Sequence, residues 1–496
     1  MEGVERKRPH IVLLPLMAQG HIIPFFELAK LLARRGGFLI TIVNTPRNLV
    51  RLQPMVSSAC KVHEIEIRLQ ELPFPRGIEG VPSDVENTDA LPYNLMFVLV
   101  RSTEQLEKPF EQLLRRLCED EDSRPTCVIS DMFFGWSLEV CNRVGIPRVT
   151  FLTMGAFATC VYNSLWMHLP HKNTESDTFS LAPDLPHVSF HRSQLPLSLK
   201  QTDETDPWYL FLKRQIPCNL RSWGTLLNTF DELERKFVDH MRENVSGGVW
   251  SVGPVLREVF DINHGSNHGA CLQWLDSHLP RSVLYISFGT QVRITYRQTQ
   301  ELALGLEASR IPFIWAVRPP VEITDGFTDF LPEGFEERME ESKQGLLIRG
   351  WAPQVMILSH GSTGGFLSHC GWNSVLESLS HGVPIISWPI AAEQFYNSKL
   401  LEEDGGVSVE ICRGIDGEVD KAKVERTVKM IMEGEKGREL RKKAMDMRDA
   451  TRKAFSNLRD EGRDTNININ INGSSLANID GFIKEVNLLA LSSKSF

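Results

Sequence analysis

The sequence lacks the features of several protein classes. Its nine cysteines are odd in number and never spaced as CxxC, so neither a disulfide framework nor a zinc knuckle is predicted. No apolar run reaches the ~18 residues that a membrane span requires, and we expect no signal peptide or tail anchor. The net charge of −9 gives no reason to expect nucleic acid or an anionic membrane as a partner. We therefore expect a cytoplasmic protein without stable membrane insertion.

Two enzyme signatures are missing as well. A nicotinamide or flavin oxidoreductase carries GxGxxG after its first strand, where this chain has AQGH, Ala18 to His21. An α/β-hydrolase needs GxSxG at a strand-to-helix elbow, and the sequence contains no such motif. Neither class fits the chain.

The sequence contains two series in which strand patterns alternate with helix patterns. With 496 residues, it is long enough for two domains. The first series opens with an apolar run at 11–16, a helical pattern at 22–37 and a β-branched run at 38–44, and it continues at 127–130 and 148–152. Strand, helix and strand in this order predict a right-handed βαβ unit of a parallel sheet.

The second series begins near Ser282 and repeats the alternation. We predict an α/β fold of two doubly wound Rossmann-like domains that face each other across a ligand-binding cleft. The turn-rich stretch 253–270 is the predicted linker. It would separate an N-terminal domain, 1–252, from a C-terminal domain, 271–455, and a helical segment at 456–496 is expected to pack back on the N-terminal domain.

Asparagine and isoleucine alternate in the unusual stretch 466–472. We interpret this stretch as a surface loop near the C-terminus. Because the alternation has the period of a strand, a small β excursion is the alternative.

Residues 351–394 contain a predicted anion site. A strand that ends near His369 is followed by Gly-Trp-Asn-Ser at a helix start, where unpaired amides and the positive end of the helix dipole attract anions. His369, Asn373 and Ser374 surround this helix start with hydrogen-bond donors. A diphosphate suits this arrangement.

The same stretch has groups for the other parts of a sugar nucleotide. Trp351 can present its indole face to a planar base, and Glu377 can accept hydrogen bonds from a ribose diol. Glu393 and Gln394 follow another strand and can bind sugar hydroxyls. Each residue alone has an ordinary structural explanation, but their combination in this order predicts a sugar-nucleotide site.

These residues match the plant secondary product glycosyltransferase signature almost position by position, and the chain resembles plant UDP-dependent glycosyltransferases of the inverting, two-domain GT-B type. The resemblance extends over nearly the whole chain through further motifs: PLMAQGHIIP at 15–24, SDMFFGW at 130–136, LLNTFDELE at 226–234, SVGP at 251–254, QWLD at 273–276 and YISFGT at 285–290. It implies a UDP-glycosyltransferase that acts on a small molecule, needs no cofactor beyond its donor co-substrate, and is a monomer. The N-terminal domain would bind the acceptor and the C-terminal domain the UDP-sugar.

The resemblance also implies a donor sugar. In the family, the residue matching Trp372 is typically tryptophan in glucose users, and the last signature position, Gln394 here, is typically glutamine. UDP-glucose is therefore the implied donor, although Glu393 replaces the usual aspartate with a longer carboxylate side chain. The further positions implied to contact the UDP-sugar are Thr153, Ser287, Thr290, Ala352, Gln354 and Gly371, and Ala392 is implied to contact the acceptor.

His21 is the candidate general base. It follows a strand near a helix N-terminus, where the dipole disfavours the imidazolium form. Asp131 ends a strand of the same predicted sheet and can accept from the other imidazole nitrogen. The resemblance gives His21 the role of general base toward the acceptor hydroxyl and Asp131 that of its partner.

A DxD sequence occurs at Asp120-Glu121-Asp122. Metal-dependent glycosyltransferases use this pattern to hold Mn²⁺ or Mg²⁺. Here it lies in a polar stretch before a strand, so we interpret it as solvated charge and predict no metal site.

Two alternatives stay open: a catalytically silent sugar-nucleotide-binding protein, and a transferase that uses another UDP-sugar such as UDP-galactose. The segments expected to line the acceptor pocket are 75–100, 133–165 and 180–215, which are aromatic and apolar in places. They are consistent with a phenolic, flavonoid or terpenoid acceptor.

Overall fold

Apolar and β-branched runs form the strands of an α/β fold, as the sequence predicts. The computed structural model describes residues 8–256, 268–322, 330–460 and 469–492. The strands are β1 (His10–Leu14), β2 (Leu39–Asn44), β3 (Ile67–Glu71), β4 (Cys127–Asp131), β5 (Arg148–Leu152), β6 (Thr178–Leu181), β7 (Leu185–His191), β8 (Gly224–Leu227), β9 (Gly248–Ser251), β10 (Val283–Ser287), β11 (Phe313–Val317), β12 (Gly345–Arg349), β13 (Thr363–Ser368), β14 (Ile385–Ser387), β15 (Ser408–Glu410), β16 (Asn457–Asp460) and β17 (Ile469–Asn472). The α-helices are α1 (Gln19–Gly36), α2 (Pro46–His63), α3 (Tyr93–Ser102), α4 (Glu107–Glu119), α5 (Ser137–Val144), α6 (Ala156–His168), α7 (Leu197–Gln201), α8 (Pro207–Leu220), α9 (Asp231–Asn244), α10 (His268–Asp276), α11 (Tyr296–Ser309), α12 (Phe335–Ser342), α13 (Gln354–Ser359), α14 (Trp372–His381), α15 (Gln394–Lys399), α16 (Lys421–Met432), α17 (Glu435–Ala454) and α18 (Ser474–Ser492).

The first sheet has seven parallel strands in the order β3-β2-β1-β4-β5-β8-β9. Every residue of β1, β2, β4 and β5 is buried, which is why most residues of these strands are apolar. Ile11 of β1 lies opposite Ile40 on one side and Cys127 on the other. The strand order therefore reverses between β1 and β4, and ligands of doubly wound sheets bind at the carboxyl ends of such strands.

The second sheet has six parallel strands in the order β12-β11-β10-β13-β14-β15. Its strand order reverses between β10 and β13, so the carboxyl ends of these two strands border the corresponding ligand position. The predicted fold class of two doubly wound Rossmann-like domains is confirmed.

The limits of the two folded units differ from those of the predicted domains. The first unit contains Met1–Leu169, Thr202–Leu256 and Ala454–Phe496, and the second contains Pro170–Gln201 and Arg257–Lys453. Residues 170–201 were expected in the N-terminal domain, 1–252, but they belong to the second unit. Phe190 of β7 packs edge-to-face on Tyr396 with ring centroids 5.7 Å apart, and Arg413 donates to Ser193 over 3.0 Å. The two partners in each contact are far apart in the sequence. No change of composition marks the points where the chain passes from one unit to the other.

The last helix, α18, lies in the first unit. It buries Leu476, Ile479, Phe482 and Val486 in the core that also contains residues of α1 and β1. Two hydrogen bonds of 2.5 and 2.7 Å join Arg35 to Asp480.

The prediction of a surface loop at 466–472 is wrong for residues 469–472, the part of this stretch that the structure describes. Residues 469–472 form β17, which pairs antiparallel with β16, because β-branched isoleucine at every second position favours an extended strand. Residues 466–468, and residues 257–267 of the predicted linker, lie outside the described residues. Within the described ranges, no helix is long and apolar enough to cross a membrane.

Candidate active site

The carboxyl ends of three adjacent strands in the first sheet bring His21, Asp131 and Thr153 together. His21 lies in the first turn of α1 after β1, Asp131 ends β4, and Thr153 follows β5. Nδ1 of His21 is 2.6 Å from Oδ2 of Asp131 and 3.2 Å from the Thr153 hydroxyl. The Asp131 side chain is fully buried, whereas 19% of the His21 side chain is exposed.

The Asp131 carboxylate is held at both oxygens. Oδ1 accepts the backbone N–H of Phe133 over 3.1 Å, and Oδ2 faces the imidazole of His21. A carboxylate at Nδ1 favours the tautomer that carries its proton there, which makes Nε2 the basic nitrogen. This arrangement is able to take a proton from a hydroxyl placed at Nε2.

The predicted diphosphate site lies where β13 ends and α14 begins, in the second unit. His369, Cys370 and Gly371 connect the two elements. Cys370 has a φ of +65°, a conformation that costs energy for a residue with a side chain. The amide of Asn397 in α15 donates to the Cys370 carbonyl over 2.9 Å and so helps to hold this turn.

The imidazole of His369 occupies a space that two glycines leave open. A Cβ at Gly289 would lie 2.6 Å from its Nε2, and one at Gly371 would lie 2.5 Å away. Burial lowers the pKa of His369 to about 4, so the ring is neutral at physiological pH. It therefore offers a diphosphate a hydrogen bond, and the positive end of the α14 dipole supplies the favourable charge.

A hydrogen-bond chain orients the candidate ribose-binding residues. Nε2 of Gln354 donates to the Ser374 hydroxyl over 2.9 Å and to Glu377 over 2.7 Å. The hydroxyl of Tyr285 donates to Oε1 of Gln354 over 3.2 Å. Trp351 is 52% exposed, an uncommon state for a large aromatic side chain and one that suits stacking against a base.

The amide of Gln394 is fixed by the backbone before it. Its Oε1 accepts the N–H groups of Ile390 and Ala391, each over 3.0 Å. The side chain therefore presents Nε2, a donor, to a ligand. Glu393 lies beside it as the residue before α15, and Ala392 has a φ of +51°.

The remaining predicted residues also lie at this edge of the second sheet. Ser287 ends β10 and accepts the N–H of Gly289 over 3.3 Å, and Thr290 follows. Trp372 and Ala352 are buried, while Asn373 is half-buried in the first turn of α14. The predicted site residues thus form two groups: His21, Asp131 and Thr153 in the first unit, and all the others in the second.

Sequence analysis missed two residues of this site. Tyr285 was indistinguishable from an ordinary strand residue within an apolar run, and Asn397 is one polar residue in a short helix. The close partners of both residues are remote in sequence.

The DxD residues lie in an exposed turn after α4. The N–H of Asp122 donates to Oδ1 of Asp120 over 3.0 Å, and residues 119–122 are exposed. Across the described part of the chain, no group of three or more His, Cys, Asp or Glu residues is arranged to hold a metal ion.

Comparison with known proteins identifies the family. The family described as "UDP-glucoronosyl and UDP-glucosyl transferase" matches residues 269–447, and "Glycosyltransferase, N-terminal domain" matches residues 9–257. UDP-glycosyltransferase 92A1 of Arabidopsis thaliana is 41% identical over 468 residues, covering 92% of this chain and 95% of the relative. Crocetin glucosyltransferase 3 of Crocus sativus is also 41% identical, covering 87% and 92%.

Solved structures agree with these sequence relatives. The Glycyrrhiza uralensis enzyme UGT73P12, complexed with glycyrrhetinic acid 3-O-monoglucuronide, has a TM-score of 0.84 at 30% identity and covers 98% of this chain and 97% of its own. Phytolacca americana UGT2, complexed with UDP-2fluoro-glucose and pterostilbene, has a TM-score of 0.76 at 28% identity and covers 97% and 100%. The chain therefore belongs to the plant UDP-glycosyltransferase family, with the GT-B fold, and is an enzyme that transfers sugar from a UDP-sugar to a small molecule.

Proposed function

We propose that the chain is an inverting glucosyltransferase that moves glucose from UDP-glucose to a hydroxyl of a small lipophilic acceptor. The observation that carries this proposal is the contact of 2.6 Å between Nδ1 of His21 and the buried carboxylate of Asp131. A histidine oriented in this way at the carboxyl edge of a doubly wound sheet has the geometry of a general base.

The proposed reaction is a single displacement. The acceptor hydroxyl gives its proton to Nε2 of His21 as its oxygen attacks the anomeric carbon. The bond from that carbon to the β-phosphate oxygen breaks, and UDP leaves with the electron pair. Asp131 stabilises the imidazolium that forms, and attack opposite the leaving group inverts the anomeric configuration.

The second unit supplies the proposed donor site. His369 and the start of α14 would hold the diphosphate, with Ser287 and Thr290 nearby, while Glu377 would bind the ribose and Trp351 the base. The donor Nε2 of Gln394 and the acceptor carboxylate of Glu393 would bind the equatorial hydroxyls of glucose. The names of two relatives, a crocetin glucosyltransferase and a UDP-glucose flavonoid glucosyltransferase, favour glucose. One structural neighbour, Arabidopsis thaliana UGT89C1, is complexed with UDP-L-rhamnose, so the fold alone does not select the sugar.

The proposed acceptor pocket is a chain of aromatic rings that leads to His21. Phe97 lies 4.8 Å from Trp208, Trp208 lies 5.7 Å from Phe133, and Phe133 lies 5.8 Å from His21, measured between ring centroids. Such a surface suits a planar or apolar molecule. Relatives named scopoletin glucosyltransferase and UDP-glucose flavonoid 3-O-glucosyltransferase 7 support a phenolic or flavonoid acceptor, and a terpenoid stays among the proposed acceptors.

We further propose that the first unit binds the acceptor and the second unit binds the donor, in a monomeric, cytoplasmic enzyme. All nine cysteines lie in the described part of the chain and are free thiols, which suits a reducing compartment.

The test is turnover of UDP-glucose with a panel of phenolic, flavonoid and terpenoid acceptors, read by mass spectrometry. His21→Ala should lower turnover by about 10² to 10⁴ and leave UDP affinity, measured by calorimetry, unchanged. His168→Ala, at an exposed histidine of α6, is the control and should behave as the unaltered enzyme.

Two results would contradict the proposal. Full turnover in His21→Ala, or a parallel loss of its UDP affinity, would remove His21 from the role of base. UDP-sugar binding by the unaltered protein without turnover of any donor would favour the catalytically silent alternative.

A further inference from the structure

Arg148, the first residue of β5, is a buried guanidinium surrounded by neutral acceptors. It is 1% exposed, and each of its hydrogen bonds ends on a hydroxyl, an amide oxygen or a backbone carbonyl. Nε donates to Ser130 (2.8 Å) and Ser137 (3.0 Å), Nη1 to Thr150 (2.9 Å) and Ser222 (2.6 Å), and Nη2 to Asn219 (3.0 Å) and the carbonyls of Asp131 (3.2 Å) and Phe134 (3.3 Å). Burying a charge without an ionised partner is costly, so this arrangement calls for an explanation.

The hydrogen bonds of Arg148 converge on the turn that carries Asp131. Residues Met132–Phe134 form a single 3₁₀ turn after β4. Arg148 donates to the carbonyl of Asp131, which precedes this turn, and to that of Phe134, which ends it. Arg148 also donates to Asn219, and Asn219 in turn donates to the carbonyl of Met132 over 2.8 Å. Three of the four carbonyls from residue 131 to residue 134 are therefore held by one connected pair of side chains.

This turn sets the position of two groups that contact His21. Asp131, which precedes the turn, supplies the carboxylate at Nδ1, and Phe133 within the turn donates to that carboxylate and places a ring beside the imidazole. A shift of the turn would move the Asp131 carboxylate relative to His21. Misplacing a group that takes part in proton transfer lowers the rate of that transfer.

Three titratable groups face the Arg148 guanidinium: Asp131 of β4, Cys141 of α5 and Cys218 of α8. Burial lowers the pKa of Arg148 to about 10, so it stays a cation at neutral pH, while burial raises the pKa of Cys141 to about 12 and keeps that thiol uncharged. The guanidinium therefore keeps all of its N–H donors for the acceptors around the turn.

We propose that Arg148 is a positioning residue for the His21–Asp131 pair, which holds Asp131 and the turn that follows it in place together with Asn219. This inference rests on the proposed role of His21 as the base. It assigns Arg148 a geometric effect that depends on its forked set of hydrogen-bond donors.

The test compares kcat and KM of three variants with those of the unaltered enzyme. Arg148→Met removes every hydrogen bond of the guanidinium, and we expect kcat to fall by about 10- to 100-fold. Arg148→Lys keeps the positive charge but lacks the forked geometry, so its kcat should fall as well. Asn219→Ala removes the hydrogen bond to the Met132 carbonyl and should also lower kcat. The KM for UDP-glucose should stay within about twofold in all three variants.

Phe482→Ala is the control for a merely structural effect, because it removes a buried ring from the same unit without touching the turn. It should lower resistance to urea and leave kcat within about twofold of that of the unaltered enzyme. If Arg148→Met folds too poorly to assay, Arg148→Lys and Asn219→Ala still test the inference.

The outcomes distinguish this inference from the proposed function. If His21→Ala is inactive but Arg148→Met and Arg148→Lys keep the kcat of the unaltered enzyme, the inference is disproved. A fall of kcat in Phe482→Ala as large as that in Arg148→Met would also disprove it, because the effect would then follow from lost stability alone. An unchanged kcat in Asn219→Ala would disprove the share assigned to Asn219. If His21→Ala keeps its turnover, the proposed function itself has failed, and the inference falls with it.

Discussion

Gln354 donates a hydrogen bond of 2.7 Å from its Nε2 to the carboxylate of Glu377. The donor residue opens α13 and the acceptor lies within α14, so this contact fixes the carboxylate across two helices. The buried hydroxyl of Tyr285 fixes the other end of the same amide. The candidate ribose-binding carboxylate is thus oriented by side chains before a ligand arrives.

Tyr285→Phe tests this orientation. Removing one hydroxyl should cost about 1 kcal/mol, which raises the KM for UDP-glucose about fivefold. Because the interaction is present equally in the ground state and the transition state, kcat should not change. Tyr296→Phe, at an exposed tyrosine, is the matched control. An unaltered KM in Tyr285→Phe would show that the hydroxyl does not support the donor site.

Donor choice is the second prediction. At equal concentrations, UDP-glucose should be used in preference to UDP-galactose, because mispairing one buried polar group costs about 1–3 kcal/mol. UDP-glucuronate should be used least, since Glu393 would face its carboxylate with like charge. Chromatography and mass spectrometry of the competing products measure the ratio.

Glu393→Gln should reduce the discrimination against UDP-glucuronate, whereas Glu418→Gln, at an exposed position, should leave it unaltered. A dominant glucuronide product from the unaltered enzyme would refute the donor assignment.

Metal removal is the third prediction. Turnover should persist in excess EDTA, because the amides at the start of α14 and the imidazole of His369 would stabilise the leaving diphosphate. Activity that is lost in EDTA and restored by Mn²⁺ would instead make Asp120 and Asp122 candidate metal ligands, and Asp122→Asn would then abolish the restoration.

The fourth prediction concerns stability in acid. Burial lowers the pKa of His171 and of His369 to about 4, from an ordinary value near 6.5. Between these values the unfolded chain binds protons that the folded chain does not, so the free energy of unfolding falls as the pH decreases from about 6.5 toward 4. Each histidine should contribute about 1–2 kcal/mol to this loss between pH 7 and pH 5.

Urea titrations at pH 7 and pH 5 measure that loss. His171→Asn cannot take up a proton at this position and should show a smaller loss, whereas His187→Asn, at an exposed histidine of β7, should match the unaltered protein. Equal losses in both variants would contradict the assignment to His171.

Much of this architecture follows from local sequence. The parallel strands were predictable because they are buried on both faces and are therefore mostly apolar, and β5 has the same limits in the sequence pattern and in the structure. The site residues of 351–394 were predictable because strand ends and a helix start place them at one edge of a sheet. Their mutual hydrogen bonds were not, since Tyr285 and Gln354 are 69 positions apart.

Other features depend on partners that are remote in the chain. Residues 170–201 belong to the second unit because of contacts such as that of Phe190 with Tyr396. Arg148 is a charged residue that sequence patterns would place at a surface, and its burial follows from seven acceptors spread over residues 130–222. The strand at 469–472 differs from the expected loop because the alternation of isoleucine at every second position favours an extended strand more than asparagine favours a turn.

The position of α18 in the first unit affects the order in which the chain can fold during synthesis. The ribosome releases residues 474–492 only after it has made residues 268–453 of the second unit. Until then, the apolar surface of α1 and β9 that α18 covers stays open to water or to chaperones. The unit that is started first is therefore completed last, and early release of the nascent chain would leave its core incomplete.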